Sequence, residues 1–407
     1  MSGFLFTTRL AADASNGNAR LGWFTTPHGA VETPAFMPVG THASVRGLAM
    51  HELRDAGANM VLANAYHLYL RPGDEMVRAL GGVHAFARWD GPMLTDSGGY
   101  QVFSLSRYRT VTEDGVEFRS KLDGARHHYT PERVMQIERN IGADVIMQLD
   151  ELIAGGSSYD ASRSAMERSL RWLERCRVEF DRLSRDGRAP VRALTVPAGA
   201  PPLATDDIAR DIVAPPQALF PIVQGGTWAD LRRASIDGIL QAGDWVGVAV
   251  GGLSVGEAKS AMYETFEVCS PLLPADKPRY LMGVGFPDDL LEAVARGMDL
   301  FDCVAPTRMG RHGTVFTPDG KTQIQKSSNR TDRRPLTESC PCPACTQYDR
   351  AYLRHLMVTE EPLGPRLLAL HNLTFLLELM RETRDALRDG RFGSWSAEWL
   401  ARYRHGR

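Results

Sequence analysis

Three aspartates, Asp96, Asp150 and Asp302, each stand at or near the end of a short apolar run: PMLTDSGG, DVIMQLDE and DLFDCVAPT. A carboxylate in such a place is costly unless it is paired, hydrogen-bonded or used. One alone could simply cap the next helix or tie a loop. Three of them beside glycine-rich turns point to chemistry. Two carboxylates flanking a glycosidic bond can serve as nucleophile and acid/base. Tyr100 and Met282, one flat and one soft, could sandwich a planar heterocycle or merely pack a barrel end. Asp150 could accept two hydrogen bonds from the N1–H and amino group of guanine. Gln224 and the Gly252 N–H could read the carbonyl side of the same ring.

A second constellation is Cys340-Pro-Cys342-Pro-Ala-Cys345, followed at a distance by His371. Three thiolates and an imidazole suit a closed tetrahedral zinc site. His355 competes with His371 for the fourth position. With four protein ligands the ion would have a structural role. The other three cysteines, Cys176, Cys269 and Cys303, are scattered. Without a secretory leader, metal is a better use for the cluster than disulfides.

Arg308 and Arg311 follow Asp302 closely and suggest an anionic backbone near the nucleophile. Between Cys303 and His355 there are nine Lys/Arg against four Asp/Glu, in a chain whose net charge is −2. A local phosphate-binding face fits this, and a merely solvated basic surface fits it too.

Something must gather residues spread over some 200 positions. Eight short apolar runs, beginning at Pro34, Met60, Pro92, Asp144, Leu219, Trp245, Arg279 and Asp299, read as buried parallel strands. Helical segments lie between several of them. Thr130 is a candidate N-cap before PERVMQIERNIGA, and Pro287 opens PDDLLEAVARG. This rhythm predicts an α/β fold, a (β/α)8 barrel with N-terminal β elements and an inserted zinc-binding subdomain. An open doubly wound sheet is the competing architecture, but no GxGxxG follows the first strand. The expected division is a barrel over 1–320, a zinc subdomain over 321–375 and a C-terminal helical segment over 376–407. A Pro/Ala-rich excursion with six prolines at about 184–216 breaks the rhythm and reads as a long surface loop.

The chain has 407 residues, 43% of them hydrophobic and 24% charged, as in soluble globular proteins. No signal peptide and no apolar stretch long enough to span a membrane are evident, so a cytoplasmic protein is expected.

Taken together, NAYHLYLRPG, LTDSGGYQVFSL, VEFRSKLDG, AVGGLSVGE, YLMGVG, FDCVAPTRMGRHG and the C-x-C-x-x-C…H site resemble the bacterial tRNA-guanine transglycosylases over nearly the whole chain. The resemblance implies that Asp302 attacks C1′ of a ribose and that Asp96 is the acid/base. It implies that Asp150, Gln224 and the Gly252 amide read the base. The Leu253 carbonyl would accept from the substrate's aminomethyl group, and Tyr100 and Met282 would stack. The substrate would be the wobble guanine of tRNAs with GUN anticodons, and the incoming base 7-aminomethyl-7-deazaguanine. Arg308 and Arg311 would face the RNA, and the enzyme would be a homodimer that binds structural zinc.

Two positions bear on the incoming base. Leu152 stands where many bacterial members carry cysteine, whereas Val255 is the bulky residue typical of them. Queuine salvage, and deazaguanine insertion into DNA, are the alternatives within this chemistry. A barrel glycoside hydrolase would leave the zinc knuckle and basic segment unused. A non-catalytic RNA-binding subunit could dispense with the nucleophile, which is present here.

Overall fold

The computed structural model describes residues 3–10, 17–105, 109–186 and 216–406. Residues 187–215 of the expected Pro/Ala-rich excursion lie outside the described residues.

The eight predicted runs form eight parallel strands. These are β1 (Ala35–Pro38), β2 (Val61–Asn64), β3 (Met93–Asp96), β4 (Val145–Met147), β5 (Ala218–Phe220 with Ile222–Val223), β6 (Val248–Val250), β7 (Arg279–Leu281) and β8 (Leu300–Cys303). β5 is broken at Pro221, which has no N–H to donate. Its first piece pairs with β4 and its second with β6. The barrel closes where β8 pairs with β1 and a parallel bridge joins Val39 to Leu62.

Strand alternation explains why the runs are apolar on both faces. Met37, Leu62, Leu94, Val145, Phe220, Ile222, Ala249, Tyr280 and Leu300 fill the barrel interior as one cluster. Phe36, Ala63, Met93, Ile146, Val223, Val250, Leu281 and Phe301 face the surrounding helices as another. Helices open where expected. The Thr130 side chain accepts from the Arg133 N–H at 3.2 Å, with Pro131 in the first turn. Pro287 opens the helix Pro287–Ala295.

An antiparallel N-terminal sheet (Leu5–Leu10, Leu21–Thr26, Gly29–Thr33) closes the bottom of the barrel with Phe6, Phe24 and Val31. A further antiparallel sheet is inserted between β3 and β4, with strands Arg109–Val111, Val116–Arg119 and Arg126–Tyr129. Sequence periodicity gave no warning of it, because the strands are three or four residues long and mostly polar.

The cysteine-rich region follows β8. It contains a hairpin (Thr314–Thr317, Gly320–Gln323) and the helices Pro343–Thr346, Arg350–Val358 and Leu363–Arg388. The last is 26 residues long and runs straight through the 375/376 position expected as a boundary. At its far end Arg384 donates to the Pro34 carbonyl at 2.7 Å, at the foot of β1. Near its start it crosses the short helix Ala305–Arg311 that follows β8. The crossing is so close that a methyl at Gly310 would lie 2.7 Å from the backbone of Leu368 and Ala369.

Candidate active site

The predicted site residues continue the inward register of their strands by one more step. Asp96 lies two residues beyond Leu94, Gln224 beyond Ile222, Gly251 beyond Ala249, Met282 beyond Tyr280 and Asp302 beyond Leu300. Period-two alternation therefore turns them all toward the barrel axis at its C-terminal mouth. Asp150 joins them from the extended stretch after β4.

Asp302 is half-buried, and only one of its oxygens is engaged among the described residues. Tyr280 Oη and the Gly283 N–H both donate to Oδ1, each at 2.7 Å. Burial raises its pKa, and those two donors oppose the rise by stabilising the anion. Its second oxygen is left to act. Asp96 lies in the same mouth and accepts from Asn64 Nδ2 at 3.1 Å. Its pKa is pushed up to about 7, by burial first and then by the charges of Asp150 and Asp302. Asp150 is buried and accepts from Gln224 Nε2 at 2.5 Å. Burial raises it to about 6 against that hydrogen bond. So Asp96 is pushed to titrate near neutrality, while two fixed donors on Asp302 counter the upward push of burial. That division suits an acid/base and a nucleophile.

Glycines make the space. A methyl on Gly99 would lie 2.6 Å from Asp150 Oδ1. Gly252 has φ of +67°, and a methyl there would lie 2.3 Å from Gln224 Oε1, a buried oxygen with no protein donor among the described residues. Gln224 thus offers an unsatisfied acceptor toward the pocket, and Asp150 a carboxylate. Leu253 is buried beside them, Met282 is half-buried, and Tyr100 is 51% exposed and open to an entering ring.

Arg308 is exposed and Arg311 half-buried on the helix after β8. Arg46, which sequence reasoning passed over, joins them. Burial and the charges of Arg46 and Arg308 lower the Arg311 pKa, and its Nη1 is buried without a protein acceptor among the described residues. Cations crowded this way are an anion site in waiting.

Away from the mouth, Sγ of Cys340, Cys342 and Cys345 and a ring nitrogen of His371 all lie within 4.8 Å of one another. His371 Nδ1 is 3.7, 3.5 and 3.3 Å from the three sulfurs in turn. Nε2 is 2.8 Å from the Phe316 carbonyl, which fixes the ring with Nδ1 toward the thiols. These four can hold a metal ion. His355, the competing ligand, sits on another helix and packs near Tyr352 instead.

The positioning residues Asn64, Tyr280 and the Gly283 amide were not singled out in the sequence. The signal for Tyr280 was available: a tyrosine on an inward position, one step below the mouth, has its hydroxyl at the level of Asp302.

The family model for queuine tRNA-ribosyltransferase matches residues 13–405. Similar proteins include queuine tRNA-ribosyltransferases of Desulforamulus reducens, 48% identical over 94% of each chain, and of Symbiobacterium thermophilum, 48% identical over 95% of this chain and 89% of that one. The protein of that name from Herpetosiphon aurantiacus is 46% identical over 99% of this chain and 93% of its own. With a family model spanning nearly its whole length and relatives this close, the chain belongs to the queuine tRNA-ribosyltransferase family.

Proposed function

We propose that this glycosyltransferase exchanges guanine at the anticodon wobble position of GUN-anticodon tRNAs for 7-aminomethyl-7-deazaguanine. The observation that carries this is the assembly of three carboxylates in one mouth, with Tyr280 and the Gly283 N–H both donating to one oxygen of Asp302. Asp302 attacks C1′ of the ribose, the bond from C1′ to guanine breaks, and the tRNA stays attached as a glycosyl-aspartate. Asp96 gives a proton to the departing guanine and later takes one from the incoming base. That base attacks C1′ and releases Asp302, so two inversions retain the configuration. Asp150, Gln224 and the Gly252 N–H read the base, and Tyr100 and Met282 stack on it. The Leu253 carbonyl accepts from the aminomethyl group. Arg308 and Arg311 contact RNA phosphates.

The reading carries a homodimer working in the cytoplasm. Among the described residues no helix is long and apolar enough to cross a membrane. It also retains 321–375 as a subdomain on the barrel of 1–320, with 376–407 as the C-terminal segment.

The metal is zinc in this reading. A tetrahedral ion at ordinary zinc–sulfur and zinc–nitrogen distances sets sulfur and nitrogen about 3.6 Å apart. The separations here run from 3.3 to 3.7 Å. Four protein ligands leave no open position, so the ion would brace the subdomain. Cys342→Ser is expected to abolish stoichiometric zinc in elemental analysis and to lower Tm by about 10 °C. An unchanged Tm in a zinc-free variant would refute the bracing role.

Queuine, the base in the relatives' shared name, is the second reading, and Leu152 in place of cysteine favours testing it. Wobble-labelled tRNA incubated with either unlabelled base separates the two. Release driven by the aminomethyl base supports the proposal, and release by queuine alone moves the biology to salvage. No release with either base sinks wobble exchange and turns attention to DNA.

Gly99→Ala tests the base pocket. Its methyl must displace the Asp150 carboxylate, so kcat/KM for the incoming base is expected to fall about 10²-fold. Binding of tRNA alone, measured by anisotropy, should stay within a few-fold. A variant with wild-type kinetics would remove Asp150 from base recognition.

A further inference from the structure

The segment VEFRSKLDG and the small sheet it builds have no part in the reaction above. The sheet nevertheless hangs beside the acid/base. Tyr129, at its last position, donates its hydroxyl to the Ser97 carbonyl at 3.3 Å, one residue from Asp96. Phe118 packs on Tyr66 at 5.4 Å, in the helix that follows Asn64.

Alternation turns Val116, Phe118 and Tyr129 inward, so Glu117, Arg119, Arg126 and His128 stand outward. Arg119 and Arg126 are register partners, directly opposite across the two strands. Like charges so placed destabilise a sheet. Neither has a carboxylate partner among the described residues. Both line a cleft of about 500 Å³ with Arg109, His127, His128 and one acid, Glu117. Two of the sheet's other acids are paired at its far end. Glu113 is held by Arg171, and Asp114 by Arg175 and His128, around the turn at the opposite end. Asp123 accepts the Ala125 N–H within its own turn. The sheet's charge is thus uneven: the acids around the 112–115 turn are paired with cations, whereas at the other end Arg109, Arg119 and Arg126 face Asp123 alone in the turn that joins the last two.

Two opposed guanidinium groups over a cleft match the non-bridging oxygens of phosphodiesters better than any neutral ligand. Both stand on the sheet that Tyr129 ties to Ser97 and Phe118 packs against Tyr66. We propose that the Arg119–Arg126 pair holds the RNA backbone near the reacting nucleotide, as a second electrostatic contact separate from Arg46, Arg308 and Arg311. This rests on the tRNA reading above and adds a part of the protein to it.

The test uses the full-length Arg119→Gln/Arg126→Gln double variant and a GUN-anticodon tRNA. Anisotropy gives Kd over a range of salt, and guanine release gives kcat and KM. The expected result is a rise in Kd and KM of about tenfold near 0.15 M salt, with kcat within about twofold. The slope of log Kd against log salt should fall by about 1.5, two lost phosphate contacts' worth. Arg119→Lys/Arg126→Lys should restore most of the slope, which a merely structural role would not require. Wild-type affinity and slope in the glutamine variant overturn the proposal, and so does weaker binding with an unchanged slope. If the wild-type chain itself neither binds nor processes the tRNA, the tRNA reading falls and takes this contact with it. Failure confined to the variant's predictions leaves that reading standing.

Discussion

Asp302→Asn is expected to lower kcat by about 10⁴-fold or more, because in the proposed reaction Asp302 is the group that bonds to C1′. The substitution is nearly isosteric and keeps an oxygen for the Tyr280 and Gly283 donors, so folding and tRNA affinity should hold within a few-fold. The sharper readout is the intermediate. Wild-type enzyme mixed with tRNA and quenched in denaturant should show a protein–RNA adduct, and the variant should show none. The assignment follows from how the two carboxylates are held. Asp302 has one oxygen pinned by two donors at 2.7 Å, an arrangement that favours the anion and aims the other oxygen. Burial raises both, but Asp96 lacks that pair of donors and is pushed up to about 7. An adduct that survives in Asp302→Asn and maps to Asp96 would reverse the roles.

Asp96 sets the second large effect, which is read in pH. Its pKa lies near 7 and that of Asp150 near 6, so the cluster titrates as a coupled unit across neutral pH. In the proposed reaction, release of guanine needs Asp96 protonated. Therefore kcat/KM for tRNA should fall about tenfold per pH unit above roughly pH 7. Asp96→Asn should lose about 10²- to 10⁴-fold in kcat and flatten that alkaline limb. Stability must follow with a defined sign. A carboxyl whose folded pKa is raised contributes stability that is full below its unfolded value near 4. That contribution is lost as pH rises through about 7. Asp96→Asn removes the buried charge, so its Tm should exceed wild type by on the order of 5 °C at pH 8, with the gap closing toward pH 4. A pH-independent gap, or a less stable variant at pH 8, would refute the shifted carboxyl.

Much of this site was legible because strands alternate. Once PMLTD and DLFDC are read as strands, Asp96 and Asp302 must share the inward face, and barrel closure does the rest. The cysteine cluster was legible because three thiols in six residues leave few other geometries. Asn64 and Gly283 were not, because each acts through a single hydrogen bond that exists only after closure. Arg46 was missed for a similar reason: nothing in its neighbourhood in sequence announces that it meets Arg308 and Arg311. The small sheet carrying Arg119 and Arg126 escaped because its strands are too short and polar to show a period.

The close crossing at Gly310 ties the fate of two distant stretches together. Any side chain at 310 would push against the backbone of residues 368 and 369, so the long helix and the segment that follows Asp302 cannot drift apart in sequence independently. Descendants of this chain should keep glycine at 310 for as long as the helix that carries His371 keeps its present line. The subdomain is therefore inherited as part of the barrel's own wall, and a lineage that discarded it would have to rebuild the ground on which Asp302 stands.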